Sequence, residues 1–377
     1  MKIALTGGGT GGHFYPLIAV VEQLREYAKE NHLIEPTLYY LSSDPYDARL
    51  LFDYHIAYRR VPAGRRSSAS PMETFRAGIV TAIGAFKALI NLFIIFPDVV
   101  FSKGGFDSVP TVLAARFLGI PIVIHESDSI PGRANVWAAR FADKIAVSYP
   151  SAIDALPERL REKAAWTGNP VRREISIPNK SGAHEFLDLE TEIPSILVLG
   201  GSQGALRINE SIVDALPRLL SRVQVIHQTG KTHFEVIKGM ADVAIQDPIL
   251  RKRYRPMAYL NDVALTMAAG AASVVVTRAG STLFEIAQWG VPAIVIPIRD
   301  SASDHQRKNA FAYARAGAGV VIEENNLSDL VVVNEILRII DEPATAQAMA
   351  AAALKFARPD AARAIAKELV AIAITHE

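Results

Sequence analysis

Three stretches of the chain combine glycine with hydroxyl, imidazole or carboxylate side chains at spacings that could bind an anion and move a proton. The first is Thr6-Gly7-Gly8-Gly9-Thr10-Gly11-Gly12-His13. So much glycine lets the backbone take positive φ and approach a ligand closely, and a helix opening here turns free amides toward a phosphate. The dinucleotide fingerprint G-x-G-x-x-G fits Gly7, Gly9 and Gly12. The acid that would hold a ribose about 20 residues later is missing, because Leu41-Ser42-Ser43 stands there with Asp44 the nearest carboxylate. A tight strand-to-helix turn without a ligand is the plainer alternative. His13 adds a group that titrates near neutral pH, suited to a base or hydrogen-bond role if it does not simply pack at the helix entry.

The second stretch, Gly200-Gly201-Ser202-Gln203-Gly204-Ala205, again joins an apolar run to a helix-period segment. Two such loops double the anion-binding capacity, as two pyrophosphate-bearing substrates would require. The third is Thr277-Arg278-Ala279-Gly280-Ser281-Thr282-Leu283-Phe284-Glu285. Glu285 falls about one turn into a helix, where it could accept two hydrogen bonds from a ribose diol or merely complement the helix dipole. Asp304-His305-Gln306 pairs an acid with an imidazole, but no further ligands join them, so no metal is expected.

These loops need strands to end on. Short apolar runs near residues 3–6, 38–41, 57–61, 99–102, 122–125 and 144–147 alternate with helix-period segments, and the pattern restarts at 196–199, 223–227, 273–276, 293–296 and 319–322. The reading is α/β: two Rossmann-like, doubly wound parallel-sheet domains facing a cleft. A length of 377 residues fits two domains. The Ala-rich end, 344–374, reads as one helix of undecided attachment.

Composition narrows the class. Half of the residues are hydrophobic and 21% charged, an ordinary globular balance. A net charge of +1 gives no global reason to bind nucleic acid. The chain has no cysteine, which removes disulfides and thiolate chemistry, and no secretory signal is visible before the first loop, so a cytoplasmic location is expected. The segment 77–96 approaches the length of a spanning helix. Its Thr81, Gly84, Ala88 and Asn91 line a small, polar stripe, and Pro97 followed by an apolar strand argues against a simple span.

Taken in order, GGTGGHFYPLIAV from Gly8, PDVVFSKGGFDSVP from Pro97, HESDSIPGRAN from His125, TGNPVR from Thr167, GGSQGA from Gly200, TRAGSTLFEIAQWGVPAIVIP from Thr277 and DHQRKNA from Asp304 make the chain similar to the MurG family of bacterial cell-wall glycosyltransferases, and more broadly to nucleotide-sugar transferases of the GT-B fold. The resemblance implies an acceptor and membrane-associated domain over 1–165, a UDP-GlcNAc-binding domain over 166–354, and a last helix, about 355–377, able to pack back on the first. It implies an inverting transfer of N-acetylglucosamine from UDP-GlcNAc to the C4 hydroxyl of undecaprenyl-pyrophosphoryl-MurNAc-pentapeptide, lipid I to lipid II, without a cofactor. Related readings are a transferase with another lipid acceptor, a UDP-GlcNAc epimerase, and a non-catalytic nucleotide-binding scaffold.

Residue by residue, the resemblance places Thr10, Gly11, Gly12, Asn135, Arg172, Ser202, Leu260, Ser281, Thr282, Glu285 and Gln306 on the donor, with Leu260 reading uracil through its backbone, Glu285 gripping the ribose and Gln306 facing the sugar hydroxyls. Gly9, Gly104, Gly105 and His125 fall on the acceptor. His13 is the first candidate base, with Asp128 and Glu126 behind it. The sequence departs from the family pattern at Asp128, at His305 and in a loop one residue short before Glu285. A lipid acceptor gives the apolar helix a use, with Ile79, Ile83, Phe86 and Phe93 meeting the membrane. From Arg59 to Lys103 there are seven basic residues against two acidic, a basic rim suited to an anionic surface. The implied location is the cytoplasmic face of the bacterial membrane, as a peripheral protein with other cell-wall synthesis proteins as partners.

Overall fold

The computed structural model describes residues 1–65, 70–200, 205–299 and 304–376. They form two compact units, Met1–Arg172 with Pro359–Glu377, and Arg173–Arg358.

In the first unit seven parallel strands, β1 (Lys2–Thr6), β2 (Thr37–Ser42), β3 (Ala57–Arg60), β4 (Val99–Ser102), β5 (Ile122–Glu126), β6 (Lys144–Val147) and β7 (Ala164–Trp166), lie in the order β3-β2-β1-β4-β5-β6-β7. β1, β4 and β5 are buried along nearly their whole length, because helices cover both faces of a parallel sheet and leave no polar side for alternation. On one face the helix Gly11–Glu30 packs Phe14, Leu17, Ile18, Val21 and Leu24 into a core shared with Ile365, Leu369 and Val370 of the last helix, Ala361–His376. Arg363 donates to Glu30 at 2.5 Å and Lys144 pairs with Glu368 at 3.2 Å at the edges of that contact.

On the other face lies the helix Pro71–Ile95, with an N-cap from Ser70 and Pro71 in its first turn. It buries its small residues. Ala77, Gly84, Ala88, Leu92 and Ile95 face the protein, and a Cβ on Gly84 would stand 1.8 Å from the Pro62 carbonyl oxygen, so only glycine allows this approach. Large apolar side chains turn outward instead: Phe86 is 65% exposed and Phe93 69%, with Phe75, Ile79, Ile83 and Ile90 beside them. By length and composition this helix could cross a membrane.

The second unit holds six parallel strands, β8 (Ser195–Leu199), β9 (Gln224–Gln228), β10 (Tyr254–Met257), β11 (Ala272–Thr277), β12 (Ala293–Val295) and β13 (Gly319–Val321), in the order β10-β9-β8-β11-β12-β13. β7 and β10 escape the sequence reading: one is three residues long and largely exposed, and the other places Arg255 and Pro256 in a four-residue strand at a sheet edge. The expected single C-terminal helix is two, Pro343–Phe356 in the second unit and Ala361–His376 in the first. Pro359 accounts for the break, since it cannot continue a helix and forces the residue before it out of the α region.

Candidate functional site

In the first unit the carboxyl ends of β1, β4 and β5 converge. After β1 the chain turns through Gly7 at φ +135° and Gly9 at φ +86°, and Gly104 and Gly105 after β4 have φ +87° and +80°. Gly8 lies against Ser42, Tyr40 and Asp107, whose side-chain atoms would stand 2.6–3.2 Å from any Cβ. The two glycine turns meet at His13, whose ring lies 3.4 Å from where a Gly105 Cβ would be. His13 Nδ1 is 3.1 Å from the Gly8 carbonyl oxygen and 3.3 Å from Thr10 Oγ1. A carbonyl only accepts, which assigns the proton to Nδ1 and, in the neutral ring, the lone pair to Nε2.

Below these turns lies a buried polar network. The Nζ of Lys103, a residue only 1% exposed, is 2.7 Å from His125 Nδ1, donates to Asn169 Oδ1 at 3.2 Å and also reaches Ser127 Oγ. His125 Nε2 is 2.9 Å from the Gly168 carbonyl, so this ring holds its proton on Nε2 and accepts from the lysine through Nδ1. Burial first and the lysine charge second push His125 well below the usual histidine range. Burial likewise brings Lys103 down to about 7, against the pull of the Glu126 and Asp128 charges.

Glu126 is fully engaged. Its Oε1 accepts from the Asp128 amide at 2.9 Å, and its Oε2 accepts from the Gly132 amide at 2.9 Å and from Asn135 Nδ2 at 2.8 Å. Burial, then the Asp128 charge, hold it above the ordinary carboxylate value. The other amide atom of Asn135, Oδ1, is buried without a protein partner, 2.4 Å from where a Gly104 Cβ would be. Asp107, also buried and raised by desolvation, accepts from Ser43 Oγ at 2.5 Å.

In the second unit Glu285 sits partly exposed in the first turn of the helix Thr282–Trp289, with Ser281 at its N-cap. Two side chains of the helix His305–Arg315 tie this end of the sheet together: Asn309 Nδ2 donates to the Ala279 carbonyl at 3.1 Å, and Gln306 Oε1 accepts from the Ile298 amide at 3.1 Å. Arg278 donates to the Ile296 carbonyl at 3.0 Å and to Glu324 at 2.6 Å, and Glu324 also accepts from the Arg299 amide at 3.1 Å. The Leu260 amide donates to Gln228 Oε1 at 3.0 Å.

Residues 3–147 match the glycosyltransferase family 28 N-terminal domain and residues 195–365 the glycosyltransferase family 28 C-terminal domain. A curated protein of Natranaerobius thermophilus, named UDP-N-acetylglucosamine--N-acetylmuramyl-(pentapeptide) pyrophosphoryl-undecaprenol N-acetylglucosamine transferase, is 32% identical over 375 residues, covering 98% of this chain and 99% of its own. The crystal structure of Acinetobacter baumannii MurG superposes with a TM-score of 0.72 at 24% identity, covering 98% of this chain and 99% of that one. The chain belongs to the MurG family. A putative UDP-N-acetylglucosamine 2-epimerase from Listeria monocytogenes shares the fold, with a TM-score of 0.70 at 15% identity over 97% of this chain and 94% of its own. Fold therefore does not separate transferases from epimerases; the full-length sequence match does.

Set within the MurG family, the expected residues fall into two groups. The first unit brings Gly9, Thr10, Gly11, Gly12 and His13 to Gly104 and Gly105, with His125, Glu126, Asp128 and Asn135 at the next strand end. Arg172 is buried in the same unit with its guanidinium 4.4 Å over the Tyr15 ring. Leu260, Ser281, Thr282, Glu285 and Gln306 belong to the second unit, and Ser202 lies outside the described residues. One expectation is corrected: Lys103 is buried and belongs to no basic rim, whereas Arg59, Arg60, Arg65, Arg76 and Lys87 are exposed and Arg66 is outside the described residues. Sequence reading also missed Asp107 and Asn169. Their signal was present, as polar residues within two positions of Gly105 and Gly168, but nothing local said that they would be buried together with ionisable neighbours.

Proposed function

We propose that the chain moves N-acetylglucosamine from UDP-GlcNAc to the C4 hydroxyl of undecaprenyl-pyrophosphoryl-MurNAc-pentapeptide, inverting the anomeric carbon and releasing UDP. The observation that carries this is the 32% identity over 98% of the chain to a curated protein named for that transfer. His13 is the base. Its Nε2 lone pair removes the proton of the acceptor hydroxyl as the oxygen attacks, and the pyrophosphate leaves with the charge that develops on it. Arg172 and amides of the glycine loops would meet that charge. Glu126 is a poorer base than His13, since three donors already occupy its oxygens. The second unit takes the nucleotide, with Glu285 on the ribose and Gln306 on the sugar.

The outward apolar face of Pro71–Ile95, flanked by Arg59, Arg60, Arg65, Arg76 and Lys87, supports peripheral attachment to an anionic bilayer at the cytoplasmic face, at about 1 kcal/mol for each basic residue close to the surface. Phe86→Asp with Phe93→Asp should abolish sedimentation with vesicles containing phosphatidylglycerol while leaving circular dichroism unchanged; undiminished sedimentation refutes the attachment. The function itself is tested by transfer of radiolabelled N-acetylglucosamine from UDP-GlcNAc to a short-chain lipid I analogue. Lipid-linked disaccharide is the expected product. No transfer, with UDP-GlcNAc still raising the melting temperature, would move the acceptor elsewhere or leave a binding protein.

A further inference from the structure

The tautomer of His13 turns on two neighbours of one ring nitrogen. Its Nδ1 lies 3.1 Å from the Gly8 carbonyl oxygen and 3.3 Å from Thr10 Oγ1. The carbonyl can only accept, so it selects the neutral ring with its proton on Nδ1 and its lone pair on Nε2. The hydroxyl can donate as well, and in doing so it would select the opposite form, with the proton on Nε2. The place of the Gly8 carbonyl therefore decides whether Nε2 can take a proton.

Gly8 is poorly equipped to hold that place alone. It stands in a run of three glycines, with Gly7 at φ +135° and Gly9 at φ +86°, and glycine loses more conformational freedom than any other residue when it is fixed. The restraint comes from β2. Tyr40, 1% exposed and paired in register with Leu5 of β1, donates its hydroxyl to the Gly7 carbonyl at 2.5 Å. The same hydroxyl, with Ser42 Oγ and Asp107 Oδ2, stands 2.6–3.2 Å from where a Gly8 Cβ would be, and Asp107 is tied to the end of β2 through Ser43 Oγ. Burial pushes the Tyr40 hydroxyl well above the ordinary tyrosine range, so it remains a donor across neutral pH. Its ring packs edge-on against Phe14, the residue after His13, with centroids 5.7 Å apart. One side chain thus touches both the turn that carries the acceptor and the helix that carries the imidazole.

We infer that Tyr40 is a positioning residue for the transfer: by donating to the Gly7 carbonyl it holds the Gly8 carbonyl on His13 Nδ1 and keeps Thr10 from claiming that nitrogen. It acts through the backbone of the turn and is no catalytic residue. The inference rests on the proposed function for the role of His13 as the base, though not for the tautomer itself.

The test uses the full chain labelled with the heavy nitrogen isotope at histidine, at about pH 8.5, where an ordinary imidazole is neutral. Long-range proton–nitrogen correlation spectra, with His13 assigned by its loss in His13→Gln, report which ring nitrogen is protonated. Wild type should carry the proton on Nδ1. Tyr40→Phe keeps the ring against Phe14 and removes only the hydroxyl; it should move His13 toward the form protonated on Nε2 while the signals of buried His227 stay in place. Removing the competing hydroxyl too, in Tyr40→Phe with Thr10→Val, should return the proton to Nδ1. In the transfer assay Tyr40→Phe should lower kcat about tenfold, the worth of one hydrogen bond, and leave KM for UDP-GlcNAc within about twofold of wild type. A wild-type ring protonated on Nε2 overturns the inference before any variant is made. An unchanged His13 spectrum in Tyr40→Phe overturns it whatever the kcat, since lost turnover without a tautomer change is a structural role alone. Failure of Thr10→Val to return the proton overturns the competition on which it is built. A shifted tautomer at full kcat upholds the positioning by Tyr40 and removes His13 as the base instead.

Discussion

At the ends of β1, β4 and β5 the first unit buries Lys103, Asp107, His125 and Glu126 beneath glycine turns, whereas at the ends of β8, β11 and β12 the second unit leaves Ser281, Thr282, Glu285 and Gln306 partly exposed. The same parallel-sheet scaffold is used in two ways. One strand end concentrates ionisable groups in a low-dielectric setting, where fields are strong and proton affinities shift; the other offers hydrogen-bonding side chains at ordinary solvent exposure, suited to reading hydroxyls. Deeply buried histidine occurs in the second unit too, but His227 is 3.0 Å from Asn209 Oδ1 and 2.9 Å from the Tyr254 hydroxyl, a closed neutral network. The difference teaches that one parallel-sheet scaffold can gather buried ionisable groups at one strand end and leave hydrogen-bonding side chains half-exposed at another.

The largest effect that could break this contrast is on turnover. His13→Ala should lower kcat by roughly 10²–10⁴ with KM for UDP-GlcNAc nearly unchanged, and steady-state kinetics retaining full kcat would move the base elsewhere. Next, Glu285→Gln should act on binding, raising KM for UDP-GlcNAc by about 10–100-fold, the worth of a hydrogen bond to a charged group, with a much smaller change in kcat. A dominant kcat effect there would erase the division of labour.

Backbone substitutions sharpen the comparison at smaller cost. Gly104→Ala puts a Cβ 2.4 Å from Asn135 Oδ1 at φ +87° and should destabilise by about 1–3 kcal/mol, while Gly280→Ala in the second unit meets nothing within 4 Å and should melt like wild type. Thermal denaturation of the pair decides it. The smallest effect concerns pH. His125 lies well below the usual histidine range and burial takes His227 down to about 3, so both stay neutral when folded while the unfolded chain protonates them near 6.5. Stability is therefore lost as pH falls from about 7 toward 4, and His227→Gln should flatten that fall in melting temperature, with a parallel curve counting against the argument.

Much of this was legible in the chain. Apolar runs followed by glycine turns placed the strands that end at these turns, because positive-φ turns tolerate few residue types other than glycine. Burial was the part that could not be read. Lys103 looks like any surface lysine until β1, β5 and the loop after β7 close around it, the last of these contacts spanning 66 residues of chain and the β1 contact more. The helix Pro71–Ile95 shows the complementary difficulty: its periodicity was plain, but which face turned inward depended on Pro62 approaching Gly84, a long-range packing fact.

The first unit is not continuous in sequence, since its core is finished by Ala362, Ile365, Ala366, Leu369, Val370 and Ala373 of the last helix. A ribosome delivers the helix Gly11–Glu30 early and its covering partner only after all six strands of the second unit have been made. For most of synthesis, at about 5–20 residues per second, that apolar surface waits uncovered. Nascent chains stalled before Ala361 should therefore hold a folded second unit and a first unit whose core still lacks its covering helix.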